Sequence, residues 1–244
     1  MARFLVVLYG VASYAVSLVT LLYAIGFVTG IGVPKSIDSG VPDGFLASLA
    51  INALLLGAFA IQHSVMARPA FKARWTRIVP PAIERSTYVL LASLLLLLLF
   101  WQWRPLTQVV WSFEGVAALA LWILSALGWL IALLSTFMVS HWDLFGLRQV
   151  LLHYRDRAYH HIPFAQRGFY RLVRHPIMLG FIVAFWAQPV MTLGHLMFAF
   201  ATTVYVFIAL QFEERDLVAT LGDAYRDYRA RVPMLIPGLK GRPR

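Results

Sequence analysis

Charged side chains stand at both ends of one apolar segment in the last third of the sequence. The stretch LVRHPIMLGF, residues 172–181, places Arg174, His175 and Pro176 at the start of an apolar run over 176–212. Directly after the run, QFEERDL supplies Glu213 and Glu214. If the run doubles back, both groups reach the same membrane face, where ionisable residues are costly enough to suggest a function.

The expected pocket contains more polar groups than a structural salt bridge would need. One acid and one base would satisfy a bridge, but Tyr170 and Tyr225 also fall near this membrane face, together with Arg171 and Arg215. A purely structural ion pair remains an alternative. The number of polar groups favours a bound polar ligand.

Other polar residues follow apolar segments nearer the N-terminus. In STFMVSHWDLFGLRQ, His141 and Asp143 come directly after an apolar run. An aromatic belt explains Trp142 better than it explains this pair, so we consider the pair functional. His63, in IQHSVMARP, is either an interfacial histidine with a hydrogen bond or a second functional candidate. Glu84 can be explained as part of an anchored helix start.

The composition defines the elements that must position these residues. Of the 244 residues, 60% are hydrophobic and 13% are charged, which is typical of a polytopic membrane protein. Phe4 begins a long uncharged stretch that is too long for the apolar core of a signal peptide, so we expect a retained helix. The apolar runs cover approximately residues 4–32, 44–66, 86–103, 115–140 and 176–212.

The basic residues predict the orientation of these runs. Of the 21 Lys and Arg, five lie in the second loop, six in the fourth loop and seven in the tail. By the positive-inside rule, these three segments and the N-terminus are cytoplasmic. We expect a bacterial inner-membrane protein.

The last run must then cross the membrane an even number of times. A single helix over 176–210 would be roughly 52 Å long, whereas the hydrocarbon core is about 30 Å thick. AQPVMTLGH, residues 187–195, contains the proline and glycine that a turn needs. We therefore predict an all-α fold with four full transmembrane helices, a C-terminal membrane hairpin of short legs, and an amphipathic cytoplasmic tail helix, with a possible interruption at Gly222.

One domain accounts for the whole chain, 1–244. Its parts are the N-terminal transmembrane helices (1–140), a cytoplasmic loop (141–175), the hairpin (176–212) and a cytoplasmic tail (213–244). The sequence does not indicate an oligomeric state.

Several classes of function are excluded. The chain has no cysteine, so it has no disulfide, no iron–sulfur ligand and no cysteine nucleophile. The net charge of +10 comes from short loops beside membrane segments, which favours anionic lipid head groups over nucleic acid. The seven histidines lack the spacing of a di-iron site, so we expect no metal.

The C-terminal third also carries a family pattern. GFYRLVRHPIMLGF, then EERDL, a tyrosine and VPMLIP resemble the isoprenylcysteine carboxyl methyltransferase superfamily of membrane methyltransferases over Gly168–Pro237. The stretches VPKSIDSG, QHSVMARPAFK, ERSTYVL and HWDLFGLRQ look like the branch that contains methanethiol S-methyltransferases and NnrU-like proteins.

The resemblance implies a methyl donor, S-adenosylmethionine, and a small volatile thiol, methanethiol, as acceptor, with dimethyl sulfide as product. The donor's polar groups would then be held by the matching positions and the tyrosines beside them: Tyr170, Arg174, His175, Pro176, Glu213, Glu214 and Tyr225. Many superfamily members have a tyrosine two residues after the proline, where this chain has Met178.

Transfer of a methyl group to sulfur requires a thiolate and no metal. A side-chain base can assist in forming that thiolate. We expect His141, with Asp143 beside it in sequence, to be this base, and His63 is the second candidate. The pattern leaves the acceptor open. Another thiol, a prenylcysteine or a lipid would use the same donor, and a non-catalytic NnrU-like protein would use none.

Overall fold

The computed structural model describes residues 2–41 and 43–239, and nearly all secondary structure within them is helical. The elements in chain order are α1 (Ala2–Thr29), α2 (Phe45–Ala67), α3 (Pro69–Trp75), α4 (Pro81–Gln102), β1 (Val109–Ser112), α5 (Gly115–Val139), α6 (His141–Leu144), α7 (Leu147–Tyr154), a 3-10 turn (Gly168–Arg171), α8 (Pro176–Trp186), β2 (Val190–Thr192), α9 (Leu193–Leu221) and α10 (Asp223–Arg231).

Five of these helices are long and apolar enough to cross a membrane: α1, α2, α4, α5 and α9. A helix satisfies its own backbone hydrogen bonds, which is why lipid-embedded segments adopt it. The prediction of an all-α polytopic membrane protein is confirmed. The first four predicted runs correspond to α1, α2, α4 and α5.

The chain divides into two compact units. The first unit comprises Met1–Gln108 and His141–His161, and the second comprises Val109–Ser140 and Ile162–Arg244. In the first unit, α4 packs against α1 and α2, and α7 packs against α1 and α4. Asn52 on α2 makes two hydrogen bonds with the backbone of Arg104, which fixes the chain after α4.

In the second unit, α5 and α8 pack through small residues. Gly128, Ala132, Gly180 and Ala184 lie at the contact, and a Cβ on Gly180 would lie 2.5 Å from the carbonyl oxygen of Gly128. The two backbones approach so closely that glycine is required, as in small-residue packing of membrane helices.

The segment from α8 to α9 reverses direction. Phe185 packs on Phe198 near the turn, while Met178 and Leu179 at the other end of α8 pack against the Leu210 cluster. Helix α8 has only 11 residues, about 16 Å, so it is shorter than a hydrocarbon core. These contacts agree with the predicted reversal of the chain. The expectation that both legs are short is wrong for the second leg, because α9 is long enough to cross a membrane.

Side chains satisfy the backbone groups that this turn leaves open. Ser125 and Gln188 both donate to the carbonyl of Ala184, and a ring nitrogen of His195 bonds to the carbonyl of Phe185. Strand β2 pairs antiparallel with β1, and the Thr192 side chain caps α9. The sequence interpretation did not include this two-stranded sheet.

The end of the hairpin also differs from the expectation. Helix α9 continues for 29 residues to Leu221, so Glu213 and Glu214 lie within it rather than at the start of a separate tail helix. The residues after Phe212 are mostly good helix formers, so nothing stops the helix before Gly222, whose φ of 60° is in the left-handed region. The interruption at Gly222 was anticipated. Residues 240–244 of the predicted tail, and Met1, lie outside the described residues.

Candidate functional site

Backbone pairing holds Arg174 and His175 in place at the start of α8. The amide of Arg174 donates to the carbonyl of Pro233 at 2.9 Å, and that of His175 donates to the carbonyl of Met234 at 3.2 Å. Pro176 occupies the first turn of α8, where its missing N–H costs no hydrogen bond. Both side chains are buried.

Arg174 forms a buried ion pair, and its guanidinium also binds the last carbonyls of α10. Its Nε lies 2.6 Å from Oε1 of Glu214 on α9. Its Nη1 donates to the carbonyls of Val232, at 2.6 Å, and Arg229, at 3.1 Å, which close the last turn of α10. One guanidinium therefore fixes α9, α10 and the start of α8 together.

His175 contacts both glutamates. A ring nitrogen, Nε2, lies 3.1 Å from Oε1 of Glu214, and Nδ1 lies 3.8 Å from Oε2 of Glu213. The Glu214 side chain is 11% exposed, whereas that of Glu213 is 46% exposed. Glu214 is thus engaged within the protein, and Glu213 is the carboxylate open to a ligand.

Three tyrosines line this cluster. The hydroxyl of Tyr228 donates to the carbonyl of Tyr170 at 2.6 Å. The hydroxyl of Tyr225 is buried without a hydrogen-bond partner among the described residues. Burial raises the pKa of Tyr228 to about 12 and raises the pKa values of Tyr170 and Tyr225 as well. All three phenols are therefore neutral at physiological pH, and Tyr225 offers a donor to a polar ligand.

The predicted donor residues therefore lie together in the second unit. Arg174 and His175 both contact Glu214, and His175 also lies beside Glu213. Tyr225 is close enough to Arg174 and to both glutamates to feel their charges. The Tyr225 hydroxyl, which has no partner within residues 2–41 and 43–239, and the partly exposed Glu213 carboxylate fit a ligand that has both donor and acceptor groups. Tyr228 was missed by the sequence interpretation, although its spacing of three from Tyr225 places both on one helical face.

The predicted bases lie in the first unit. His141 is buried, and its Nε2 lies 2.9 Å from the hydroxyl of Tyr14 on α1. Burial lowers the pKa of His141, which favours the neutral imidazole that a base needs.

Asp143 is engaged elsewhere. Its Oδ1 lies 3.0 Å from Nη1 of Arg148, and its Oδ2 accepts from the hydroxyl of Tyr159 at 3.2 Å. The sequence neighbours thus have different contacts, since Asp143 bonds to Arg148 and Tyr159, whereas His141 bonds to Tyr14. The signal for Tyr14 was weak, since it is one tyrosine within a long apolar helix.

His63 is held by aromatic rings. Its Nε2 lies 2.9 Å from the hydroxyl of Tyr88 on α4, and its ring stacks on Phe59. Tyr88 stands four residues after Glu84, in the ERSTY stretch that the sequence interpretation treated as a helix start. Arg85 does anchor that start, because its Nε donates to the carbonyl of Leu144.

The fold and this cluster define the class of protein. It is an all-α integral membrane protein with a buried Arg–Glu–His cluster near the end of its last apolar helix.

Comparison with known proteins identifies the relatives of this chain. The chain is 57% identical over 238 residues to methanethiol S-methyltransferase of Mycobacterium tuberculosis, covering 97% of this chain and 98% of that protein. It is 55% identical over 243 residues to methanethiol S-methyltransferase 2 of Bradyrhizobium diazoefficiens, covering 100% of this chain and 94% of that protein.

The chain belongs to the methanethiol S-methyltransferase family, and it is a methyltransferase. A more divergent relative is nurim of Mus musculus, 30% identical over 208 residues, which covers 76% of this chain and 78% of that protein. No protein-family model matches the chain, and no solved structure matches it significantly.

Proposed function

We propose that this protein transfers the methyl group of S-adenosylmethionine to methanethiol, releasing dimethyl sulfide and S-adenosylhomocysteine. The observation that carries the proposal is the identity above 50%, over nearly the whole length, to proteins named for this reaction. The buried charged cluster of the second unit supports it, because it offers the polar contacts that a sulfonium amino-acid nucleoside needs.

The donor's polar groups match the open groups of the cluster. Glu213 would accept hydrogen bonds from the ammonium or the ribose hydroxyls, and the Tyr225 hydroxyl would donate to an acceptor on the ligand. Arg174 and His175 both contact Glu214 and would keep the cluster in this arrangement. The donor supplies an electrophilic methyl group.

The chain's own task in the reaction is to obtain a thiolate and align it. Near neutral pH an alkyl thiol is mostly protonated. A positive charge about 4 Å from the sulfur would favour the thiolate by roughly 4 kcal/mol at an effective dielectric near 20. A side-chain base contributes a further factor of about 10² to 10⁴. His141 and His63 are the candidates for that base, and Asp143 would hold the loop that carries His141. No metal is required.

The basic loops support a location in the inner membrane, with the N-terminus and the tail in the cytoplasm. The whole chain would act as one methyltransferase domain. Methanethiol partitions into lipid, so the acceptor would arrive from the membrane. An acceptor with so few atoms gains little binding energy, so weak apparent affinity is expected.

The test is an assay of the purified protein with methyl-labelled S-adenosylmethionine and methanethiol, in detergent and in vesicles. Labelled dimethyl sulfide in the headspace, in amounts equal to the S-adenosylhomocysteine formed, is the expected result. Label in a lipid or prenylcysteine fraction instead would show a different acceptor. Binding of S-adenosylhomocysteine without any labelled product would overturn the enzymatic proposal.

A further inference from the structure

A cavity opens in the first unit where α1 and α4 end. It has a volume of about 310 Å³ and is lined by Tyr23, Pro34, Lys35, Leu97, Phe100 and Trp101. The rings of Tyr23 and Phe100 stack with 5.5 Å between their centroids. Trp101, at the end of the membrane helix α4, is 70% exposed, so this part of the lining faces lipid.

Backbone contacts fix the loop that brings Lys35 to the cavity. The hydroxyl of Tyr23 donates to the carbonyl of Lys35 at 3.0 Å. The amide of Ile37 donates to the carbonyl of Phe27 at 2.9 Å, and the Ile37 side chain is buried. The loop is thus folded back onto the end of α1, and Lys35 is held at a defined position.

Lys35 is the charged residue among those that line the cavity. Its Nζ donates to the backbone carbonyl of Trp101. No carboxylate of the described residues lies within ion-pair distance of this Nζ. An ammonium group has three N–H donors, so the other N–H groups of Lys35 are open to an anion.

The charge that acts on Lys35 is positive. Asp38 and Asp43 lie in the same loop, but Asp43 pairs with Arg104, at 3.2 Å between Oδ2 and Nε. Burial and, after it, the positive charge of Arg104 lower the pKa of Lys35. An anion beside Lys35 would offset both effects, because it stabilises the charged ammonium.

The helix ends place this cation at the level of the lipid head groups. Lys35 follows the membrane helix α1, and Trp101 lies in the last turn of the membrane helix α4. Tryptophan and tyrosine rings are typical of this level of the bilayer. A phospholipid combines the two chemistries that the cavity offers, a phosphate for the ammonium and apolar carbon for the other lining residues.

We infer that this cavity binds a phospholipid, whose phosphate contacts Lys35 and whose glycerol and first chain carbons lie against Leu97, Phe100 and Trp101. The volume is at the lower end of the range of about 300–1,000 Å³ that is usual for ligand sites, so it holds only this part of the lipid. The inference is independent of the methyl-transfer reaction.

Photochemical labelling locates the lipid. The probe is phosphatidylglycerol with a diazirine near the start of one acyl chain, added in limiting amounts to the purified protein in detergent. After irradiation, mass spectrometry of peptides should find saturable attachment within residues 97–101 or 34–35. Unlabelled phosphatidylglycerol should compete. Dioleoylglycerol, which lacks the phosphate, and inorganic phosphate, which lacks the chains, should compete far less.

Variants separate the two parts of the site. Lys35→Met should reduce attachment about fivefold, whereas Lys35→Arg keeps the charge and should label nearly as wild type does. Leu97→Trp fills the cavity and leaves Lys35 in place, so it should also reduce attachment. Lys72→Met is the matched control, because α3 follows the opposite end of α2, and it should label as wild type does.

Two kinds of result would overturn the inference. The first is wild-type labelling in both Lys35→Met and Leu97→Trp, or no labelling at these residues in the wild-type protein. The second is competition by dioleoylglycerol or by inorganic phosphate that equals that of phosphatidylglycerol. Thermal unfolding of each variant shows whether it is folded, and Leu97→Trp decides the outcome if Lys35→Met is not.

Discussion

Arg174 and Glu214 form a buried ion pair with 2.6 Å between Nε and Oε1. The two residues stand forty positions apart, one at the start of α8 and the other in the last turns of α9. This pair gives the C-terminal cluster its shape, because the same guanidinium also closes the end of α10.

Removing one partner of this pair should destabilise the protein strongly. Glu214→Gln or Arg174→Met leaves a buried charge unpaired, which typically costs about 3–5 kcal/mol of unfolding free energy. Chemical or thermal unfolding in detergent would measure the change. Asp223→Asn breaks the exposed pair with Arg226 and should cost less than about 1 kcal/mol. An equal loss of unfolding free energy on breaking the Arg174–Glu214 pair and the Asp223–Arg226 pair would contradict the role of Arg174 in holding the cluster together.

Two neighbouring tyrosines should respond in opposite ways. Tyr228→Phe loses the hydrogen bond to Tyr170 and should lower stability by about 1 kcal/mol. Tyr225→Phe removes a buried hydroxyl that has no partner within the described residues, so stability should stay the same or rise. Donor affinity should fall only in Tyr225→Phe. Undisturbed binding in that variant would show that its hydroxyl serves no ligand.

The glycine at the contact of α5 and α8 should tolerate no side chain. A Cβ on Gly180 would lie 2.5 Å from the Gly128 carbonyl oxygen and 2.6 Å from the Ala132 nitrogen, so Gly180→Ala must push the helices apart. The expected loss is about 1–3 kcal/mol, measured by thermal unfolding. Gly57→Ala on α2 is the control, since its Cβ would meet no atom within 4 Å and alanine is the better helix former.

His141 should make stability depend on pH in one direction. Because burial lowers its pKa, the folded state binds this proton less readily than the unfolded chain, in which histidine titrates near 6.5. The contribution of neutral His141 to the free energy of unfolding is therefore fully present above about pH 6.5. It is lost as the pH falls below that value towards the pKa of His141 in the folded state. The melting temperature of wild type minus that of His141→Gln should therefore be larger at pH 7.5 than at pH 5.5. A difference that grows on acidification would contradict a lowered pKa.

The sequence predicted the membrane helices well because a segment that lies in lipid must be apolar along nearly its whole length. It also predicted that the ends of the last run approach each other, since positive loops on one face require an even number of crossings. It could not predict that α9 continues past Glu214, because charges mark the end of a membrane run but not the end of a helix. Gly222 ends the helix, and that position was visible in the sequence.

The site was predictable as a set of residues but not as a set of contacts. Arg174, His175, Glu213 and Glu214 were anticipated by type and spacing. The backbone carbonyls that Arg174 binds were not anticipated, because Arg229 and Val232 lie more than fifty positions away in sequence. The tyrosines that contact His141 and His63 were not anticipated either, because they lie on other helices. Contacts of this kind depend on which helices pack together. The periodicity of a single sequence shows which face of a helix is apolar, but it does not show which helix packs against that face.

Calorimetric titration with S-adenosylhomocysteine tests the donor site most directly. Wild-type protein should bind one equivalent, and Glu213→Gln should bind about tenfold more weakly because a charge-assisted hydrogen bond is lost. Arg226→Gln, on the exposed face of α10, should bind as wild type does. Undiminished affinity in both Glu213→Gln and Tyr225→Phe, or no binding by the wild-type protein, would contradict a methyl-donor site at this cluster.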